Sequence, residues 1–250
     1  MTPWALDLDG VVWLAEAPIA GSVDAVRLLV DRGETVVLVS NNSSATVAEY
    51  RTKLAAMGMP EEPELVTSAM AAATLLNPGE RVLVCGGPGV TEAVSSRGAE
   101  PLANDTDHSD VDAVVVGFHR EFDYERLRRA AHAVRAGARL IATNDDATYP
   151  TPDGVIPGGG AILAAVERGS GRTATVAGKP YPPIVGLVRD RFGSTGTMVG
   201  DRPDTDGRFA RALGWRFALV LSGVTTDAAG ADPKPDVVAG DLAALVRTSS

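Results

Sequence analysis

Short apolar runs alternate along this chain with longer stretches in which apolar residues return every three or four positions. The runs read as strands buried on both faces, and the stretches as helices with one apolar stripe. The chain opens with Trp4-Ala5-Leu6-Asp7-Leu8-Asp9-Gly10-Val11-Val12, an apolar run interrupted by two carboxylates and then a glycine, as expected for a buried strand whose C-terminal end carries acids. Ser22 is then expected to cap a helix striped by Val23, Val26, Leu29 and Val30, with Gly33 ending it. A β-branched run over 35–39 predicts the next strand and leads straight into Ser40-Asn41-Asn42-Ser43-Ser44. A helix from Thr46 carries Val47, Tyr50, Leu54 and Met57. An alanine-rich helix over 68–76 is broken by Asn77-Pro78-Gly79, and a strand over 81–85 follows.

From there the texture changes. Strands are expected near 113–117 and 139–142 with a helix over 123–136 between them. The segment 144–160, rich in Pro and Gly, is too long for a simple connector and is expected to be a substrate-facing loop. A helix over 161–166 and a strand over 175–177 lead to Gly178-Lys179-Pro180, where the opening pattern resumes. Pro182-Pro183 starts a helix to about Phe192. Strands over 197–199 and 217–221, a helix through Phe209 and Leu213, and a short strand and helix near 237–245 complete the chain. The pattern is that of an α/β protein with a doubly wound parallel sheet. Its core is expected over 1–78 and 179–250, interrupted by an inserted α/β domain over 79–178.

Composition narrows the function classes. With 250 residues and 45% hydrophobic content the chain can bury a sizeable core. Its 32 acidic against 23 basic residues give a net charge of −9, which argues against a nucleic-acid partner, so a phosphorylated ligand would need local positive charge. No run reaches membrane-spanning length, and Asp7 and Asp9 would sit inside any N-terminal signal segment, so neither a membrane nor a secretory route is expected. The single cysteine, Cys85, lies in an apolar run, which suits a buried thiol and a reducing, cytoplasmic setting.

The candidate chemistry sits at strand ends, where open parallel sheets bind ligands. Residues i and i+2 of a strand face one side, so Asp7 and Asp9 can share a pocket. Two carboxylates that close repel, and a divalent cation relieves them; oxygen ligands without neighbouring His or Cys favour Mg²⁺. Ser40, Asn41 and Asn42 offer hydroxyl, amide and backbone donors at the mouth of the next helix, Lys179 adds a positive charge, and Asp201 and Asp206 crowd another strand terminus. Taken singly, each has a plainer reading: solvated turn acids, a capping cluster, an exposed turn lysine, a helix cap. Gly86-Gly87-Pro88-Gly89 matches neither the dinucleotide nor the Walker pattern and is expected to be a tight turn, and His108, His119 and His132 share no metal-ligand spacing.

In order and spacing, DLDGV, the serine of VLVSNNS, the lysine of GKP, and GDRPDTD resemble the four motifs of the haloacid-dehalogenase-like (HAD) phosphohydrolases. The long insertion between the serine and lysine motifs looks like the large α/β cap of the class IIA branch, which includes NagD-type, p-nitrophenyl and phosphoglycolate phosphatases. The resemblance covers essentially the whole chain. It implies a Rossmann-like HAD core and a Mg²⁺-dependent phosphomonoester hydrolase acting on a small phosphorylated metabolite such as a sugar, polyol or glycerol phosphate. Asp7 would be the nucleophile that forms an aspartyl-phosphate, Asp9 the general acid and base, and Asp7, Asp9 (through its backbone carbonyl) and Asp201 the metal ligands. Ser40, Asn41, Asn42 and Lys179 would bind phosphate, with Asp206 orienting the lysine or a metal-bound water. Asn144, Asp145 and Tyr149 of the cap would choose the substrate, and the cap could pair two copies as a homodimer. Asn144-Asp145-Asp146 stands where many class IIA members have Asn-Pro-Asp, and Pro203 replaces the usual leucine of the last motif. A phosphotransferase or mutase of the same fold, or a non-catalytic binding protein that keeps it, are the alternatives.

Overall fold

A computed structural model describes residues 2–14, 17–151 and 154–249. It divides into two compact units: Met1–Ser40, Ala48–Val66 and Val185–Ser250 form the first, Asn41–Val47 and Thr67–Ile184 the second. Among the described residues, the first holds a six-stranded sheet in the order Val237–Ala239, Arg216–Val220, Thr197–Gly200, Trp4–Leu6, Val36–Ser40, Glu64–Thr67. Trp4–Leu6 is central and pairs in parallel with Val36–Leu38 on one side and Thr197–Val199 on the other. The chain builds outward from it in one direction and, after the second unit, in the other. The order therefore reverses beside the first strand, which makes the C-terminal ends of these strands a ligand crevice. Val36–Ser40 is buried throughout, as a strand covered on both faces must be.

The opening strand is shorter than its apolar run suggests. It stops at Leu6, and the backbone N–H groups of Val11, Val12 and Trp13 all fold back onto Leu8 O. Gly10 makes this possible at φ 82°, a left-handed conformation that excludes most side chains. Val11 and Val12 are thus core residues of a turn, not of a strand. The turn feeds a two-stranded hairpin, Trp13–Leu14 with Ala17–Pro18; Ala15 and Glu16 lie outside the described residues.

The second unit carries a five-stranded sheet in the order Thr175–Val176, Arg139–Ala142, Ala113–Val116, Arg81–Cys85, Glu100–Ala103, with parallel pairing throughout. Helices Tyr124–Arg135 and Gly159–Ser170 cover one face and bury Ala130, Val134, Ile162 and Val166 against Leu83, Val114 and Val116. Asp123 caps the first helix by accepting from Arg126 N at 2.8 Å. Two strands escaped the hydrophobic pattern, Glu64–Thr67 and Glu100–Ala103; the latter contains Pro101 and lies at the sheet edge, where a missing N–H is tolerated. The expected loop over 144–160 instead contains an antiparallel hairpin, Thr148–Thr151 with Gly154–Pro157, its residues 152–153 lying outside the described set. The helix after it begins at Gly159, earlier than the apolar stripe indicates.

This unit takes in 41–47 besides Thr67–Ile184. Polar contacts explain the extra segment. Asn41 O accepts from Ser68 Oγ and Asn144 Nδ2, Ser43 Oγ meets Thr143 Oγ1 at 2.9 Å, and Gly89 N donates to Ser44 O.

Cys85 is fully buried, and burial pushes its thiol up to about 12. Native protein treated with a disulfide reagent at pH 8 is expected to label about a hundredfold more slowly than free cysteine, with full labelling after denaturation. Rapid native labelling would contradict this packing.

Candidate active site

Register in the first sheet assembles the acids. Leu6 pairs with Val199, so the chain leaves both strands side by side, as Asp7 and as Gly200-Asp201. Asp7 N donates to Val199 O at 2.9 Å, extending the ladder by one bond, and Asp7 Oδ1 accepts from Leu8 N at 2.8 Å. Asp201 Oδ2 accepts from Val224 N at 2.6 Å. A π-helical turn over Pro203–Gly207 brings Asp206 back, and its Oδ2 accepts from Arg202 N at 3.1 Å. Asp7, Asp201 and Asp206 are all buried, and each offers a carboxylate oxygen within 4.8 Å of the others.

Glycine makes these approaches possible. A Cβ on Gly200 would stand 2.2 Å from Asp206 Cβ, and one on Gly10 would stand 2.5 Å from Asp201 Oδ2. Electrostatics makes the cluster costly: at the 4.8 Å limit each ionised pair repels by roughly 3 kcal/mol at an effective dielectric of about 20. Three buried hard-oxygen donors suit a divalent cation of the Mg²⁺ or Ca²⁺ type, which would offset that repulsion. Asp206, expected to stand behind the ligands, belongs to this group, whereas Asp9 lends it no side-chain oxygen. Asp9 Oδ1 instead accepts from Trp13 Nε1 at 2.9 Å. Ser40 ends the neighbouring strand, with its hydroxyl 3.4 Å from Tyr50 Oη.

The remaining expected residues lie in the second unit and form their own network. Asn41 Oδ1 accepts from Lys179 N at 2.7 Å, and Asn41 Nδ2 donates to Lys179 O and to Asp146 Oδ2, both at 3.1 Å. Lys179 is 1% exposed. Asn144 is buried, donating to Asn41 O and accepting from Asp146 N, so its amide is engaged within the fold. Asp145 is exposed and accepts from Tyr181 Oη. Tyr149 stacks on Phe118 with centroids 5.5 Å apart, and its hydroxyl accepts from Asn42 Nδ2 at 3.4 Å. Sequence reasoning gave no site role to Trp13, Tyr50 or Phe118; the i, i+4 spacing of Asp9 and Trp13 was the one signal available. Among the described residues no histidine joins a possible metal-ligand group.

Comparison with known proteins identifies the family. A profile described as haloacid dehalogenase-like hydrolase matches residues 4–100, and a HAD-hydrolase-like profile matches 176–245. The D-glycerol 3-phosphate phosphatase of Mycobacterium tuberculosis is 36% identical over 98% of this chain and 70% of its own length. The acid sugar phosphatase of Staphylococcus aureus is 35% identical over 89% of this chain and 87% of its own. Among solved structures, glycerol phosphate phosphatase from M. tuberculosis in complex with magnesium superposes with a TM-score of 0.87 at 35% identity, over 98% of this chain and 76% of that one. The p-nitrophenyl phosphatase from Archaeoglobus fulgidus gives 0.89 at 31% identity, over 99% and 98%. The chain belongs to the haloacid dehalogenase-like hydrolases. Within them it is a class IIA phosphatase, a phosphoric monoester hydrolase. Among the described residues no helix is long and apolar enough to cross a membrane.

The carboxylate cluster predicts a cation-linked stability. Mg²⁺ at about a hundred times its dissociation constant contributes about 2.7 kcal/mol, an upshift in Tm of about 5–10 °C for a chain of this size. Asp201→Asn is expected to lose that upshift and to melt higher than wild type without the cation, because one like charge is removed. Thermal denaturation with and without Mg²⁺ checks both; an unchanged upshift would remove Asp201 from the site.

Proposed function

We propose that this protein is a Mg²⁺-dependent phosphatase of small polyol and sugar monophosphates that works through an aspartyl-phosphate on Asp7. The observation that carries the reading is the buried group of Asp7, Asp201 and Asp206 at adjoining strand ends. These carboxylates would hold the cation, together with the backbone carbonyl of Asp9; bound there, it supplies positive charge to the nucleophile and the substrate phosphate. An Asp7 oxygen attacks phosphorus, the new P–O bond forms as the ester P–O bond breaks, and the proton of Asp9 passes to the departing alkoxide. Asp9 then takes a proton from water as that water attacks phosphorus, releasing phosphate and the Asp7 carboxylate. Ser40, Asn41, Asn42 and Lys179 bind the phosphate oxygens, with Lys179 furnishing local positive charge in a chain whose net charge is −9.

Substrate choice is assigned to the second unit, because groups that handle phosphate and reacting oxygens are the same for every ester. Asp145 and Tyr149 are read as contacts to the alcohol portion, and Asn144 as the residue that holds Asn41 in place. Exposed Asp145 disfavours a second anionic group on the substrate, which favours neutral polyol and sugar esters. The named activities of the glycerol phosphate and acid sugar phosphatases support the same choice.

Asp7→Asn is expected to abolish release of phosphate while the fold persists, and chelation of the cation to do the same to wild type. Asp9→Asn is expected to lose at least about tenfold more kcat on an alkyl phosphate than on p-nitrophenyl phosphate, whose leaving group needs no acid. Across a panel of glycerol, sugar and carboxylate-bearing phosphates, Asp145→Ala and Tyr149→Ala are expected to change kcat/KM unequally. Full activity of Asp7→Asn would sink the mechanism, and uniform losses would sink the assignment of specificity.

A further inference from the structure

Trp13 stands at the start of the hairpin that follows the Gly10 turn and is 2% exposed. Its single polar side-chain atom, Nε1, donates to Asp9 Oδ1 at 2.9 Å. The backbone of the turn holds the two residues in register, with Gly10 N donating to Trp13 O at 2.7 Å and Trp13 N to Leu8 O at 3.0 Å. The indole is fixed in turn by helix Val47–Ala56. Tyr50 stacks on it with centroids 6.3 Å apart and planes inclined by 18°, and Lys53 Nζ lies 4.3 Å from its ring centroid. Tyr50 is also the residue whose hydroxyl meets Ser40 Oγ.

Packing alone does not account for this arrangement. Any large apolar side chain fills a buried turn, whereas an indole also brings one N–H, a donor that cannot accept, and here it meets one oxygen of one carboxyl. A carboxyl that exchanges a proton with a reacting oxygen works in few of the orientations its torsions allow. With Oδ1 held by the indole, the plane of the carboxyl is set.

We propose that Trp13 is a positioning residue for Asp9: its N–H, braced by Tyr50 and Lys53, fixes the orientation of the Asp9 carboxyl for proton exchange with the leaving oxygen. The proposal rests on the reading of Asp9 as the acid and base. It assigns the stacked Trp13–Tyr50 pair a role in aligning the ends of two adjacent strands, Asp9 beyond one and Ser40 on the other.

The test replaces only the N–H. Site-specific incorporation of 3-benzothienylalanine at position 13 puts sulfur in place of the indole nitrogen and keeps the ring, its stack and its face toward Lys53; Trp13→Phe serves as a second variant. kcat and KM are measured for glycerol 3-phosphate and p-nitrophenyl phosphate beside wild type and Asp9→Asn. For the benzothienyl variant the expected result is an unchanged Tm, KM within about twofold, kcat on the glycerol ester lower by about tenfold, and kcat on the nitrophenyl ester lower by less than about threefold; Trp13→Phe is expected to show the same kcat pattern with a lower Tm. In ¹⁵N-tryptophan-labelled protein, the Trp13 indole N–H resonance is expected to move upfield and exchange faster in Asp9→Ala. Equal losses on both esters, or no loss while Asp9→Asn keeps its leaving-group dependence, would overturn the role of Trp13 and leave the functional reading standing. If Asp9→Asn is itself indifferent to the leaving group, the reading of Asp9 fails and the proposal fails with it.

Discussion

The mutual repulsion of Asp7, Asp201 and Asp206 is the constraint on which the strand ends of the first sheet depend. Three carboxylates are buried within 4.8 Å of one another, an arrangement that a fold would otherwise avoid. Backbone N–H groups of Leu8, Val224 and Arg202 each donate to one of them, and each donor comes from a segment whose path is irregular. The left-handed turn at Gly10, the π-helical turn over Pro203–Gly207 and the bare backbone at Gly200 all follow from bringing these groups together. Local irregularity at such a point is the counterpart of function, since regular structure alone would keep like charges apart.

In the second unit the organising residue is Asn41. Its side chain grips both backbone polar atoms of Lys179 and one oxygen of Asp146, while its carbonyl receives Ser68 and Asn144. A five-residue polar run that reads as a turn is therefore a node joining four stretches distant in sequence. The same unit braces Tyr149 against Phe118 and Asp145 against Tyr181. Side chains held in this way have little rotational freedom left to lose.

Much of the architecture was legible in the order of residues. Buried parallel strands are apolar throughout and their helices carry one stripe, so β-branched runs such as 35–39 announced strands. The four motifs in order also announced the phosphatase family. The strands Glu64–Thr67 and Glu100–Ala103 were not legible, because each is short and the second contains a proline that only an edge position explains. Nor was the hairpin over 148–157, whose antiparallel pairing arises between two segments that separately read as loop.

The sequence by itself determined which residues carry charge, hydroxyl and amide groups at strand ends, because hydrophobic periodicity is a local property and each motif is contiguous. Tertiary structure alone decided how they are used. That Asp206 joins Asp7 and Asp201 and that Asn144 turns its amide inward to Asn41 are facts about partners up to about two hundred residues apart. Such partners are set by strand register and by backbone turns that bring distant groups within hydrogen-bond range, and neither composition nor spacing encodes them one residue at a time.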